Sequence, residues 1–97
     1  MTQPAKHTPG PWQISAIQNE PEKISIIDAD MCFVAEVWQT YINGESRQQA
    51  NAHLIAAAPA MYEALTIALQ IMVDKRVPYQ HEIDQARAAL AQAEGKQ

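Results

Sequence analysis

The sequence is short of nearly everything from which catalytic or metal-bearing sites are commonly built. One cysteine, Cys32, stands among 97 residues, so no disulfide can form within the chain. Its neighbours Met31, Phe33 and Val34 are apolar and no cation stands beside it to lower its pKa, which predicts a buried, unreactive thiol. The histidines His7, His53 and His81 are far apart and far from Cys32. Zinc ligands usually come in close pairs such as Cys-x-x-Cys, so no metal is expected. Three glycines leave no glycine-rich phosphate loop. Nothing local sets Ser15, Ser25, Ser46 or Cys32 beside a histidine that could activate it. These shortages predict a protein with no catalytic residues and no cofactor, and so not an enzyme.

Positive charge is scarce as well. Seven Lys and Arg against eleven Asp and Glu give a net charge of −4, whereas general nucleic-acid binding needs a basic face that displaces counterions. Direct nucleic-acid binding is therefore not expected. The acids are dispersed, with no run resembling a phosphate backbone. Long apolar runs are missing too: Leu54 to Ala58 is far too short to span a bilayer, and the first seven residues lack the apolar core of a signal peptide. A reducing cytoplasm is the expected location, without membrane attachment.

What is present divides near residue 40. Length allows a single domain over 1–97, with a loose arm at 1–8 that carries no apolar periodicity. Pro9-Gly10-Pro11 bends and stiffens the chain ahead of Trp12, which is expected to pack under the bend. From Trp12, side chains alternate through Ile14 and Ala16; Lys23 to Asp28 is rich in isoleucine, and Cys32 to Trp38 alternates again. Turns are expected at 19–22 and 28–30. These short connections predict a three-stranded antiparallel sheet over about 11–38.

After Tyr41-Ile42-Asn43-Gly44 the period becomes helical. Ser46 and Gln49 have the form of a capping box, and Ala50, Leu54, Ile55 and Ala58 follow at helical spacing. Asn51 falls on that stripe, so its amide is expected to point inward and bond buried backbone as a structural polar residue. Pro59 implies a break and a new helix. Met61, Tyr62, Leu65, Ala68, Leu69 and Met72 stripe that second helix, and Ile83, Ala86, Leu90 and Ala93 stripe a third that ends near Gly95. Helices are thus expected over about 46–58, 59–75 and 79–94, packed on one face of the sheet in an α+β fold.

Two segments carry a resemblance. His7-Thr8-Pro9-Gly10-Pro11-Trp12 and, later, Ala50-Asn51-Ala52-His53-Leu54-Ile55-Ala56-Ala57-Ala58-Pro59 with Met61-Tyr62-Glu63-Ala64-Leu65 resemble the HTPGPW opening and the ANAxLIAAAPxMYEAL segment of a family of small bacteriophage and prophage accessory proteins. The resemblance covers about residues 7–69 and brings no catalytic residues with it. It implies a role of the accessory class, in which small phage proteins bind and block a host protein complex, including defence systems such as CRISPR. A sequestering protein for a signalling nucleotide, using cations such as Arg47, Lys75, Arg76 and Arg87, is the alternative. A structural or regulatory phage protein is the third.

For a protein-binding role the candidate contacts are Trp38 and Tyr41, at the corner where strands give way to helices, together with Arg47. Helix two also carries Ile67, Ile71 and Val73 away from its main stripe. One sheet cannot cover both sides of it, which predicts a homodimer through Ile67, Ile71 and Leu90.

Overall fold

The computed structural model describes residues 7–15 and 22–96. Most of the expected arm at 1–8, the turn at 19–22 and Ala16 lie outside the described residues. The described residues fall into two compact units: 8–15 and 22–59 form one, and 60–96 with His7 form the other.

The first unit contains the sheet. Strands β1 (Gln13–Ile14), β2 (Lys23–Ile27) and β3 (Phe33–Trp38) pair antiparallel in the order β1-β2-β3, as the short turns predict. The isoleucines of β2 make it the central strand, with Ile24, Ser25, Ile26 and Ile27 all buried. Asp28 builds the β2–β3 reversal: its carboxylate Oδ1 accepts the backbone N–H groups of Asp30 and Cys32, each at 2.9 Å. Between this turn and Ala35 the register slips, so that Ile27 pairs with Phe33 while Ile26 pairs with Ala35. One residue of β3 is extra, and the alternation read from sequence fails there. Phe33 and Cys32 consequently end up exposed, correcting the buried thiol expected from apolar neighbours.

A second, two-stranded sheet was not anticipated. Strands β4 (Tyr41–Ile42) and β5 (Glu45–Ser46) form a hairpin around Asn43-Gly44, both in left-handed conformation at φ 52° and 81°. Two successive positive φ angles define the turn whose twist suits a two-residue hairpin, and Asn-Gly is its preferred sequence. Ser46 is therefore a strand residue, not a helix cap. Its hydroxyl donates to Gln39 Oε1 at 2.7 Å, and the residue preceding the helix is Arg47, without a side-chain cap.

Helix α1 (Gln48–Ala56) packs against all three strands of the main sheet. Its inward stripe is Gln48, Ala52, Ile55 and Ala56, rotated from the one the sequence suggested, with which it shares only Ile55. Ala52, fully buried, joins Ile24, Ile26 and Val37 in the core, flanked by Trp12, Ile14, Val34 and Ala35. Asn51 and Leu54 face solvent. The inward amide belongs to Gln48, whose Nε2 donates to the Val37 carbonyl at 2.9 Å in a buried setting. The Pro-Gly-Pro bend closes the unit. Trp12 Nε1 donates to the Thr8 carbonyl at 3.1 Å, and a Cβ on Gly10 would lie 2.8 Å from Pro59 Cβ. Glycine is required at that close approach.

In the second unit, α2 (Ala58–Asp74, its first two residues still in the first unit) and α3 (Gln80–Ala93) follow the expected boundaries closely. Within α3, Ile83, Ala86 and Leu90 are buried; α2 half-buries Tyr62, Leu65, Leu69 and Met72 but has no buried residue. The His7 ring meets Tyr62 edge-on at 5.1 Å. Both helices end in the same motif. Val77 N–H reaches the Met72 carbonyl and Arg76 N–H that of Val73; Lys96 and Gly95 repeat the pattern onto Ala91 and Gln92. The residue in the left-handed position is Gly95 after α3 but Arg76, at φ 53°, after α2. A side chain there costs about 1 kcal/mol or more that glycine avoids.

Candidate partner-binding surface

Residues 38–42, in the first unit, carry three large apolar side chains that the fold leaves outside. Trp38 is 56% exposed, Tyr41 63% and Ile42 51%. Trp38 ends β3, and Tyr41 and Ile42 form β4, so a two-residue link joins a strand of the main sheet to the hairpin. Several bonds fix this stretch. Gln39 N–H donates to the Glu22 carbonyl at 3.0 Å, Arg47 N–H to the Thr40 carbonyl at 2.7 Å, and the Ser46 hydroxyl holds the Gln39 amide. The Trp38 ring lies under the Lys23 ammonium, 5.8 Å from its centroid, while the same ammonium pairs with Glu36 at 3.6 Å. Aromatics held rigid before contact lose little conformational entropy on binding, which is what makes Trp and Tyr effective anchors.

Arg47 is placed differently from its neighbours. It precedes α1, is half-buried, and its guanidinium Nη2 pairs with Glu45 Oε2 at 3.5 Å. That pair partly commits the charge to the hairpin, while its Nε is buried without a hydrogen-bond partner. Ile42 is the residue that sequence reasoning missed. The Asn43-Gly44 dipeptide between apolar neighbours is a hairpin signal that could have found it.

In the second unit, Ile67 and Ile71 are exposed, one helical turn apart on α2. Leu90 is not available to a second copy: it is buried in α3 beside Ile83 and Ala86 in the helical repeat, a stripe that turns inward. A cleft of about 260 Å³, lined by Met72, Val73, Arg76, Val77, Gln80, Ile83 and Arg87, also lies in this unit. Among the described residues no group of three or more His, Cys, Asp or Glu is placed to hold a metal ion. No single helix there is long and apolar enough to cross a membrane.

The whole chain, residues 1–97, matches the family model described as Salmonella phage P22 protein Y8K6. The chain belongs to this family. Membership agrees with the phage origin implied by the two sequence motifs and assigns no chemistry to any residue. No curated protein and no solved structure matches the chain.

Proposed function

We propose that this member of the phage family is a non-enzymatic accessory protein that binds a host protein complex and blocks it, in the bacterial cytoplasm, as an inhibitor of the anti-defence class. The observation that supports this reading is the exposed Trp38–Tyr41–Ile42 stretch, whose backbone is tied by hydrogen bonds at Gln39 and Thr40. A large aromatic left half in water has no role in the chain's own core, whereas buried against a partner it supplies the energy typical of interface hot spots. Blocking would be steric, with the hairpin and the end of β3 covering the partner's working surface. Arg47 and Glu45 stand at the rim.

Self-association through α2 is part of the same proposal. Met61, Ala64, Ile67, Ala68 and Ile71 form an uncharged exposed stripe on a helix without a buried residue. Two-fold pairing is the commonest way to cover such a face.

The test is capture from host lysate with the wild-type protein and with a Trp38→Ala, Tyr41→Ala double variant. The reading expects a defined host complex retained by wild type and lost by the variant at unchanged melting temperature. A partner retained equally by both would remove Trp38 and Tyr41 from the interface. A co-purifying nucleotide with no protein partner would replace the reading by the sequestering one.

A further inference from the structure

The cleft in the second unit has a chemistry of its own, independent of the partner-binding surface. Its lining combines the apolar residues Met72, Val73, Val77 and Ile83 with Arg76, Arg87 and Gln80. No carboxylate lines it, although the chain as a whole carries a net charge of −4. The acids nearest in sequence are engaged on their own helices: Asp74 accepts from Gln70 Nε2 at 3.0 Å, and Asp84 from Gln80 Nε2 at 2.8 Å. Neither Arg76 nor Arg87 forms an ion pair with the described residues. Two arginines and four apolar residues on one cleft, whose nearest acids Asp74 and Asp84 already hold amide partners (Asp84 through Gln80 on the lining itself), suit an anion that has an apolar body.

Arg76 strengthens the case through its backbone. The chain closes two helices with one motif and uses glycine for the left-handed position after α3, yet arginine after α2. A cation near the last carbonyls of α2 would account for positive charge there, but Lys75 already supplies it without a positive φ. What Lys75 does not do is line the cleft. Local strain retained where glycine would relieve it points to a side chain kept for its contacts.

We propose that this cleft binds a small organic acid: a single carboxylate held by Arg76 and Arg87, with a short apolar chain lying over Met72, Val77 and Ile83. The volume suits a ligand smaller than a nucleotide.

Hexanoate is the probe, with hexanol as the body without the charge and inorganic phosphate as the charge without the body. Titration followed by NMR should give saturable shifts of the Ile83 and Val77 methyl and Arg76 and Arg87 side-chain signals with hexanoate, at roughly millimolar affinity. Each control should bind about tenfold more weakly or worse, because a charged hydrogen bond or the apolar contact is missing. Arg76→Gly should lose hexanoate by a similar factor while its melting temperature stays level or rises, since glycine suits that φ. Arg87→Gln should lose it as well. Hexanoate binding no better than hexanol or phosphate overturns the proposal. So does Arg76→Gly that keeps its affinity, or that melts lower and thereby shows Arg76 to be structural.

Discussion

Helices α1 and α2 invert the usual relation between hydrophobicity and burial. The nine residues of α1 include four polar ones, Gln48, Gln49, Asn51 and His53, yet the helix buries Ala52 completely and a glutamine with it. The seventeen residues of α2 carry only two charges, Glu63 and Asp74, yet none of them is buried. Burial follows the surface available to pack against. Ala52 has no side chain beyond Cβ, so the α1 backbone can lie close to Ile24, Ile26 and Val37. The larger residues of α2 reach half-burial at most, and its Met61, Ile67 and Ile71 remain outside. One region is complete in the single chain. The other carries apolar surface beyond what its own unit covers.

The sharpest way to break this contrast is to cut equal amounts of side chain from each region. Ile26→Ala empties a fully buried site and should cost about 2–5 kcal/mol, from lost transfer energy and the cavity left behind. Ile67→Ala, on the exposed face of α2, should stay within about 0.5 kcal/mol for the single chain. Urea unfolding at low protein concentration reads both. A similar loss at the two sites would mean that α2 is covered as well as α1.

A smaller effect separates the two amides of α1. Gln48→Ala strands the buried Val37 carbonyl and should cost about 1–3 kcal/mol, whereas Asn51→Ala should stay within about 0.5 kcal/mol because Asn51 faces water. Equal melting of both variants and wild type would show that the Gln48 bond contributes nothing. Equal loss from both would restore the inward role that the sequence suggested for Asn51.

That reversal shows how far the sequence could be read. The antiparallel meander, the three helices after it, the break before Pro59 and the helix end at Gly95 were all legible, because each rests on local chemistry: alternation, proline's missing N–H, glycine's freedom at positive φ. Side-chain facing near Phe33 was not, because one extra residue in β3 puts Phe33 out of step with Ala35 and Val37 and leaves no mark in composition. The α1 stripe was misplaced for a related reason. Leu54 looks like the core residue and Gln48 like the surface one, but the sheet offers a free carbonyl at Val37 and room only for alanine at residue 52. In the candidate surface, Trp38 and Tyr41 were visible as large aromatics at a change of period, while Ile42 needed the Asn43-Gly44 turn to be recognised as a hairpin. The cleft at Arg76 depends on a backbone angle and on the approach of residues up to fifteen positions apart, and no spacing rule encodes either.

The smallest change in fold stability should accompany the largest change in assembly. Ile71→Glu places a charge in the middle of the exposed α2 stripe. For the single chain this is nearly neutral: the site is exposed, glutamate is a good helix former, and Lys75 stands four residues later, where a Glu-to-Lys pair is favourable. Asp74, three residues away, offsets part of that gain, so the net change should lie within about 0.5 kcal/mol. In a two-fold α2 pair, however, the same carboxylate would be buried beside apolar side chains of the second copy, a desolvation that an exposed pair with Lys75 is too weak to offset. Light scattering of the wild type should therefore give about twice the 10.8 kDa chain mass, and the variant about that mass itself, at matching melting temperatures measured in dilute solution. A wild type that remains monomeric at high micromolar concentration removes the dimer, leaving the α2 stripe exposed for some other cover. A variant that remains dimeric moves the interface away from Ile71 and away from the helix whose bare apolar face prompted it.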